Sequence, residues 1–119
     1  MPRKLGRSFK YAFRGIFFVF STQRNFVIHL SVTAIVVLVG AAIRLNKTEW
    51  LGLITVIGLV LVAETINTAL ESLVDLTSPA KHELAEKAKD SAAAAVLISS
   101  ICAIIVGVLI FGTRLLRIF

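Results

Sequence analysis

Charge is scarce in this sequence, cysteine and tryptophan occur once each, and only seven of the 119 residues are acidic. With 17% of residues charged, 57% hydrophobic and a mean hydropathy of +0.89, disordered and collagen-like chains are excluded. A soluble domain of this size is excluded too, because small domains bury only part of the surface they expose and could not hide so much apolar area. The lone Cys102 rules out an internal disulfide and, in its uncharged run, reads as a small core hydrophobe. No G-x-x-x-x-G-K-S/T loop or kinase glycine loop is present. His29, His82 and Cys102 are too dispersed for a zinc cluster. There is no internal repeat or low-complexity segment. One membrane domain, residues 1–119, remains.

The net charge of +6 could suggest nucleic acid, but no nucleic-acid-binding signature accompanies it. Six of the basic residues (Arg3, Lys4, Arg7, Lys10, Arg14 and Arg24) lie in the first 24 positions. A polybasic segment ahead of a hydrophobic span marks a cytoplasmic membrane surface, so no nucleic-acid partner is expected. The segment is too basic, and its first apolar stretch too interrupted by charge, for a cleavable signal peptide. Wound as a helix, it puts Arg3, Lys4, Arg7, Lys10 and Arg14 on one face. Leu5, Phe9, Ala12, Phe13, Ile16 and Phe20 fall on the other. That pattern predicts an amphipathic surface helix over about 3–22, lying in the headgroup plane or packing on protein.

Uncharged runs from Asn25 to Ile43 and from Ser91 to Thr113 hold 19 and 23 residues. Either suffices for a bilayer core of about 30 Å at about 1.5 Å per residue. Between them, Trp50 to Ala63 is uncharged, and the apolar pattern continues past Glu64 through Ile66, Ala69, Leu70, Leu73 and Val74. The expected architecture is all-α, with spans over about 25–44, 48–75 and 90–113. Lys and Arg counts put nine basic residues on the side of the N-terminus and the Asp75–Asp90 loop, against Arg44, Lys47, Arg114 and Arg117 opposite. The first side is therefore expected in the cytoplasm, in a multi-pass protein of the inner membrane, with Trp50 an anchor at the far interface. Ser78-Pro79 predicts a cap and first turn for a short polar helix. That helix leads into Ser91-Ala92-Ala93-Ala94-Ala95, a small-residue face suited to close helix approach.

The chemistry lies in Glu64, Asn67, Thr68, Glu71 and Asp75, which fall within about a 100° arc of one helix at 100° per residue. Ionisable groups in a span are costly and face a bundle interior or cavity. Carboxylates on one face repel unless positive charge sits among them. A divalent ion such as Mg²⁺, or Lys89 at the entrance of the third span, would supply it. Carboxylates plus a lysine at a water–lipid boundary suit phosphoryl transfer. A Glu/Asp–Lys network that only holds the spans together, or an ion pathway, would use the same residues. A lone histidine such as His29 is more often structural than a ligand.

Glu64-Thr65-Ile66-Asn67-Thr68-Ala69-Leu70-Glu71-Ser72-Leu73-Val74-Asp75 resembles the signature E-x-x-N-[ST]-A-x-E-x-x-V-D of the prokaryotic diacylglycerol kinase family, which includes undecaprenol kinases. His82-Glu83-Leu84 and Ala88-Lys89-Asp90, running to Val96, form a second matching block, and the resemblance extends from Phe9 to about Gly112. It implies a homotrimeric lipid kinase that transfers the γ-phosphoryl of ATP to a membrane lipid alcohol, with Mg²⁺ as cofactor. Undecaprenol is the expected acceptor and diacylglycerol the alternative. By family role Glu64 would be the general base, Asn67 would orient base and substrate, and Glu71 would hold the metal. Lys89, Asp90, Tyr11, Lys81 and His82 would contact the nucleotide, and Asn25 and His29, with Glu64, the lipid. Gln23 stands where the family carries a second metal-binding glutamate, which implies a weaker second metal position.

Overall fold

The computed structural model describes residues 2–119, with side chains from residue 4 onward. The side chain of Arg3, assigned above to the basic face, lies outside the described residues. Four helices follow one another: α1 (Pro2–Thr22), α2 (Arg24–Ala42), α3 (Lys47–Thr77) and α4 (Glu83–Ile118). The all-α expectation holds, since α2, α3 and α4 are each long and apolar enough to cross a membrane. At about 1.5 Å per residue α3 and α4 run to about 46 and 54 Å, so their polar ends project beyond a hydrocarbon core of about 30 Å.

α3 is the axis of the molecule. α4 packs closely along it, α2 lies against it more loosely, and the backbones of α2 and α4 stay apart. The stripe of α3 that faces its neighbours carries Leu53, Val56 and Val60, then Glu64 and Thr68, all buried at three- and four-residue spacing. Its apolar part makes the contact and its polar part makes the site. α4 answers with small side chains: Ala92 and Ser99, a heptad apart, are both buried. The Ser99 hydroxyl donates back to the Ala95 carbonyl at 2.9 Å, leaving no polar atom against the apolar neighbour. Small residues let backbones approach where lipid offers no hydrophobic drive between helices. Outward faces remain apolar, with Leu38, Ile54, Leu97 and Val108 among the exposed side chains. Exposed apolar surface on this scale is what lipid covers in a membrane protein.

α1 is amphipathic as expected, with Leu5, Phe9, Phe13, Ile16 and Phe20 exposed along one face. α2 ends two residues short of the predicted Arg44, in a Schellman turn. Arg44 takes the left-handed conformation at φ 57°, its N–H bonds the Ala41 carbonyl, and the Leu45 N–H bonds the Gly40 carbonyl. Leu45 then folds over Gly40, where a Cβ would lie 2.8 Å from Leu45 Cδ1 and 3.1 Å from Trp50 Cη2. Trp50 thus packs partly buried against this cluster, at the start of α3. Gly40→Val is expected to cost about 1–3 kcal/mol through overpacking, read as a lower denaturation midpoint in detergent micelles. An unchanged midpoint would show that Leu45 and Trp50 yield freely.

The junction between α3 and α4 corrects the sequence reading. Ser78 does not start a helix: its N–H closes α3 on the Val74 carbonyl at 2.8 Å, and its hydroxyl donates to the Ala80 carbonyl. Pro79 lies in the non-helical stretch, and His82 is the cap, its Nδ1 accepting from the Leu84 N–H at 3.1 Å. Nothing then interrupts the helix. The polar turns after Glu83 are the first turns of α4 itself, with Glu83 and Glu86 at its positive end.

Candidate functional site

Halfway along α3 the buried stripe turns polar. Glu64 is 4% exposed, and its carboxylate meets His29 of α2, whose Nε2 lies 3.1 Å from Oε1. Burying a carboxylate among apolar helices is costly without a partner, and the ring nitrogen is that partner. Thr68, 2% exposed, donates its hydroxyl to the Glu64 main-chain carbonyl at 3.0 Å, which ties the helix and leaves the carboxylate alone. One turn further on, the Asn67 amide nitrogen donates to Glu71 Oε1 at 3.2 Å. Orientation is thus divided: His29 meets Glu64, and Asn67 holds Glu71.

The other end of the Asn67 amide is the one buried side-chain polar atom without a partner among the described residues: Oδ1 faces no donor. An orphaned acceptor beside a fixed carboxylate is a pair of hard oxygens awaiting a donor or a cation. Among the described residues no three His, Cys, Asp or Glu side chains converge as metal ligands. A Mg²⁺ ion usually takes only one or two carboxylates and completes its shell with water and phosphate oxygens. Asn67 Oδ1 and Glu71 fit that need.

Beyond Glu71 the stripe reaches the end of α3. Lys89 of α4 crosses to Asp75 and donates to its Oδ1, so the ammonium expected near the carboxylates is present. A cleft of about 290 Å³ opens beside this pair, lined by Asp75, Ser78, Lys81, His82, Glu86 and Lys89. Four predicted residues on α3, α4 and their junction therefore share one polar mouth, which the Pro79 break in the helix creates. Asp90, one residue past Lys89, is exposed on α4.

The remaining predicted residues lie on α1 and α2. Tyr11 is exposed, with the Arg14 guanidinium 5.9 Å from its ring centroid. Gln23 occupies the break between α1 and α2, half-buried, with no capping bond from its side chain. Asn25 is exposed one residue inside α2, while Phe26 beside it is buried. α1 touches α3 but makes no close contact with α4, and Tyr11 is not among the residues that line the cleft.

Spacing alone gave no warning of the ion pair at the opposite end of the bundle. Glu49 caps α3 in a reciprocal box with Asn46, the Glu49 N–H donating to Asn46 Oδ1 at 2.8 Å and the Asn46 N–H to Glu49 Oε1 at 3.0 Å. The Arg114 guanidinium grips the Glu49 carboxylate with two nitrogens and also reaches the Arg44 carbonyl at 3.4 Å. This clamp fixes α4 against α3 far from the polar stripe. Asn46-x-x-Glu49 was the local signal for the box; Arg114 had none.

Known proteins decide what this arrangement belongs to. The family model of prokaryotic diacylglycerol kinase matches residues 10–111, which take in all of α2 and α3, most of α1 and α4, and the whole polar stripe. The chain belongs to the prokaryotic diacylglycerol kinase family. It is 46% identical over 101 residues to a diacylglycerol kinase of Synechocystis, a match that covers 84% of this chain and 58% of that protein. An undecaprenol kinase of Bacillus subtilis is 38% identical over 109 residues, covering 92% of this chain and 89% of its own length. A diacylglycerol kinase of Escherichia coli is 45% identical over 53 residues, 44% of this chain and 43% of that one. The chain thus spans little more than half of the Synechocystis protein and most of the Bacillus one.

Proposed function

We propose that the protein is an ATP-dependent lipid kinase that phosphorylates undecaprenol at the cytoplasmic face of the inner membrane. The observation that carries the reading is the α3 stripe itself. It runs from a buried Glu64, through the Asn67–Glu71 pair, to the Asp75–Lys89 pair at an open polar cleft. A hydrophobic acceptor would come from the membrane side and a polar donor from the cleft, and they would meet along one helix face.

Glu64 takes the proton of the lipid hydroxyl as its oxygen attacks the γ-phosphorus, the bond from that phosphorus to the β–γ bridging oxygen breaks, and ADP leaves. Phosphoryl transfer of this kind needs mainly positioning and charge neutralisation. Glu71 and Asn67 Oδ1 would hold Mg²⁺, which when bound neutralises phosphate charge. Lys89, with Lys81 and His82 beside it, would meet the phosphates and Asp90 the rest of the nucleotide. Tyr11 would reach that nucleotide from α1. Asn25, near the interface on α2, would bind the lipid headgroup. The separation of α1 from α4 within one chain supports a homotrimer whose sites lie where subunits meet. The lysine and arginine bias of the sequence supports the cytoplasmic orientation.

Undecaprenol is favoured because the match to the undecaprenol kinase spans most of both chains. An apolar groove of about 470 Å³ between α2 and α4, with His29 at one end and Phe111 at the other, suits a long isoprenoid chain. The 46% identity to a diacylglycerol kinase supports diacylglycerol as the second reading. Catalytic efficiencies measured side by side in mixed micelles separate them: kcat/KM is expected to be higher for undecaprenol, and the reverse order would assign diacylglycerol.

Gln23 offers a neutral oxygen where the family glutamate offers a charged one, so a second metal position would be weak here. Gln23→Glu is expected to lower the Mg²⁺ concentration for half-maximal turnover several-fold, in keeping with the gain of an anionic ligand. An unchanged Mg²⁺ dependence would remove Gln23 from the metal site.

A further inference from the structure

We propose that His29 is the positioning residue of the base Glu64, an inference that rests on the lipid-kinase reading above. The sequence resemblance put His29 on the lipid; its geometry points to the carboxylate instead. Nε2 stands 3.1 Å from Glu64 Oε1, and Glu64 is 4% exposed, so its carboxylate has little water to orient it. The neighbouring polar groups are engaged elsewhere: the Asn67 amide nitrogen on Glu71, the Thr68 hydroxyl on the Glu64 main-chain carbonyl. The contact also crosses between helices. α2 approaches α3 only loosely, so the imidazole acts as a strut that ties the base to the adjacent span.

Nε2 set against Oε1 leaves the second carboxylate oxygen to receive the hydroxyl proton. A base held by a third group is the arrangement that activated hydroxyls generally require. In this role His29 acts only through the carboxylate. It also lines the apolar groove between α2 and α4, which places the oriented carboxylate beside the path proposed for the lipid chain.

The test compares wild-type full-length protein with His29→Leu, His29→Gln and His29→Asn in mixed micelles, with undecaprenol and diacylglycerol as acceptors. His29→Leu is expected to lower kcat about 100-fold, the size of effect a misplaced reacting group produces, with lipid KM nearly unchanged. Glutamine can set its amide nitrogen close to the place of Nε2 and is expected to recover most of the rate. Asparagine ends nearer Nδ1 and is expected not to. A raised lipid KM at unchanged kcat would make His29 a substrate contact and overturn the proposal. Equal losses in the leucine and glutamine variants, with altered assembly on size exclusion, would make it a structural strut only. Wild-type turnover matched by His29→Leu would defeat this inference alone, whereas no transfer by the wild type would defeat the kinase reading with it.

Discussion

Glu64→Gln is expected to lower lipid phosphorylation by two to four orders of magnitude, about the contribution of a general base. The substitution keeps the shape of the side chain and a hydrogen-bonding partner for His29, and it removes the basic oxygen. If Glu64 serves as the base, the helices should assemble as before. That makes the variant a discriminating one. If the carboxylate only held α2 to α3, the loss would appear in assembly and thermal stability, as when one member of a buried pair is removed. If the stripe were an ion pathway, conductance would be found without ATP. Turnover measured with ADP release, beside size exclusion of the same preparation, tells the three apart.

Lys89→Met is expected to be the next most damaging change, lowering kcat by about 10²–10³-fold, the range seen when one preorganised donor to developing charge is removed. Lys89 crosses from α4 to Asp75 at the mouth of the cleft and is partly exposed there, so its flexible stem can turn between the carboxylate and a phosphate. Asp75→Asn should therefore do less harm than Lys89→Met, since the ammonium survives and loses only its tether. Steady-state kinetics over a range of ATP concentrations would check the order. If Asp75→Asn proved the worse of the two, the pair would be a brace between α3 and α4 and not part of the nucleotide site.

Much of this architecture was legible in the sequence because it depends on local run length and periodicity. The three spans follow chiefly from the lengths of apolar runs, and the amphipathic α1 and the polar stripe of α3 from residues three and four apart. The α3–α4 junction was not legible. Ser78-Pro79 carries a genuine helix-start signal, but His82 provides a side-chain acceptor four residues nearer the apolar run. The charged residues from Glu83 onward are good helix formers with nothing to stop them. Arg114 and Glu49 are 65 residues apart, and no local pattern links them. The same holds for His29 and Glu64: each could be assigned to a span, but which face of α2 meets α3 is a matter of packing. By family resemblance Asn67 was expected to orient the base, and the geometry gives its amide nitrogen to Glu71.

The most direct measurement is transfer of labelled γ-phosphate from Mg-ATP by the purified protein in mixed micelles containing undecaprenol or diacylglycerol. Label is expected in the lipid-extractable fraction, dependent on added acceptor and absent with Glu64→Gln. A well-folded protein that transfers no label to either lipid would contradict this expectation, and the polar stripe of α3 would then be a network that holds the spans together.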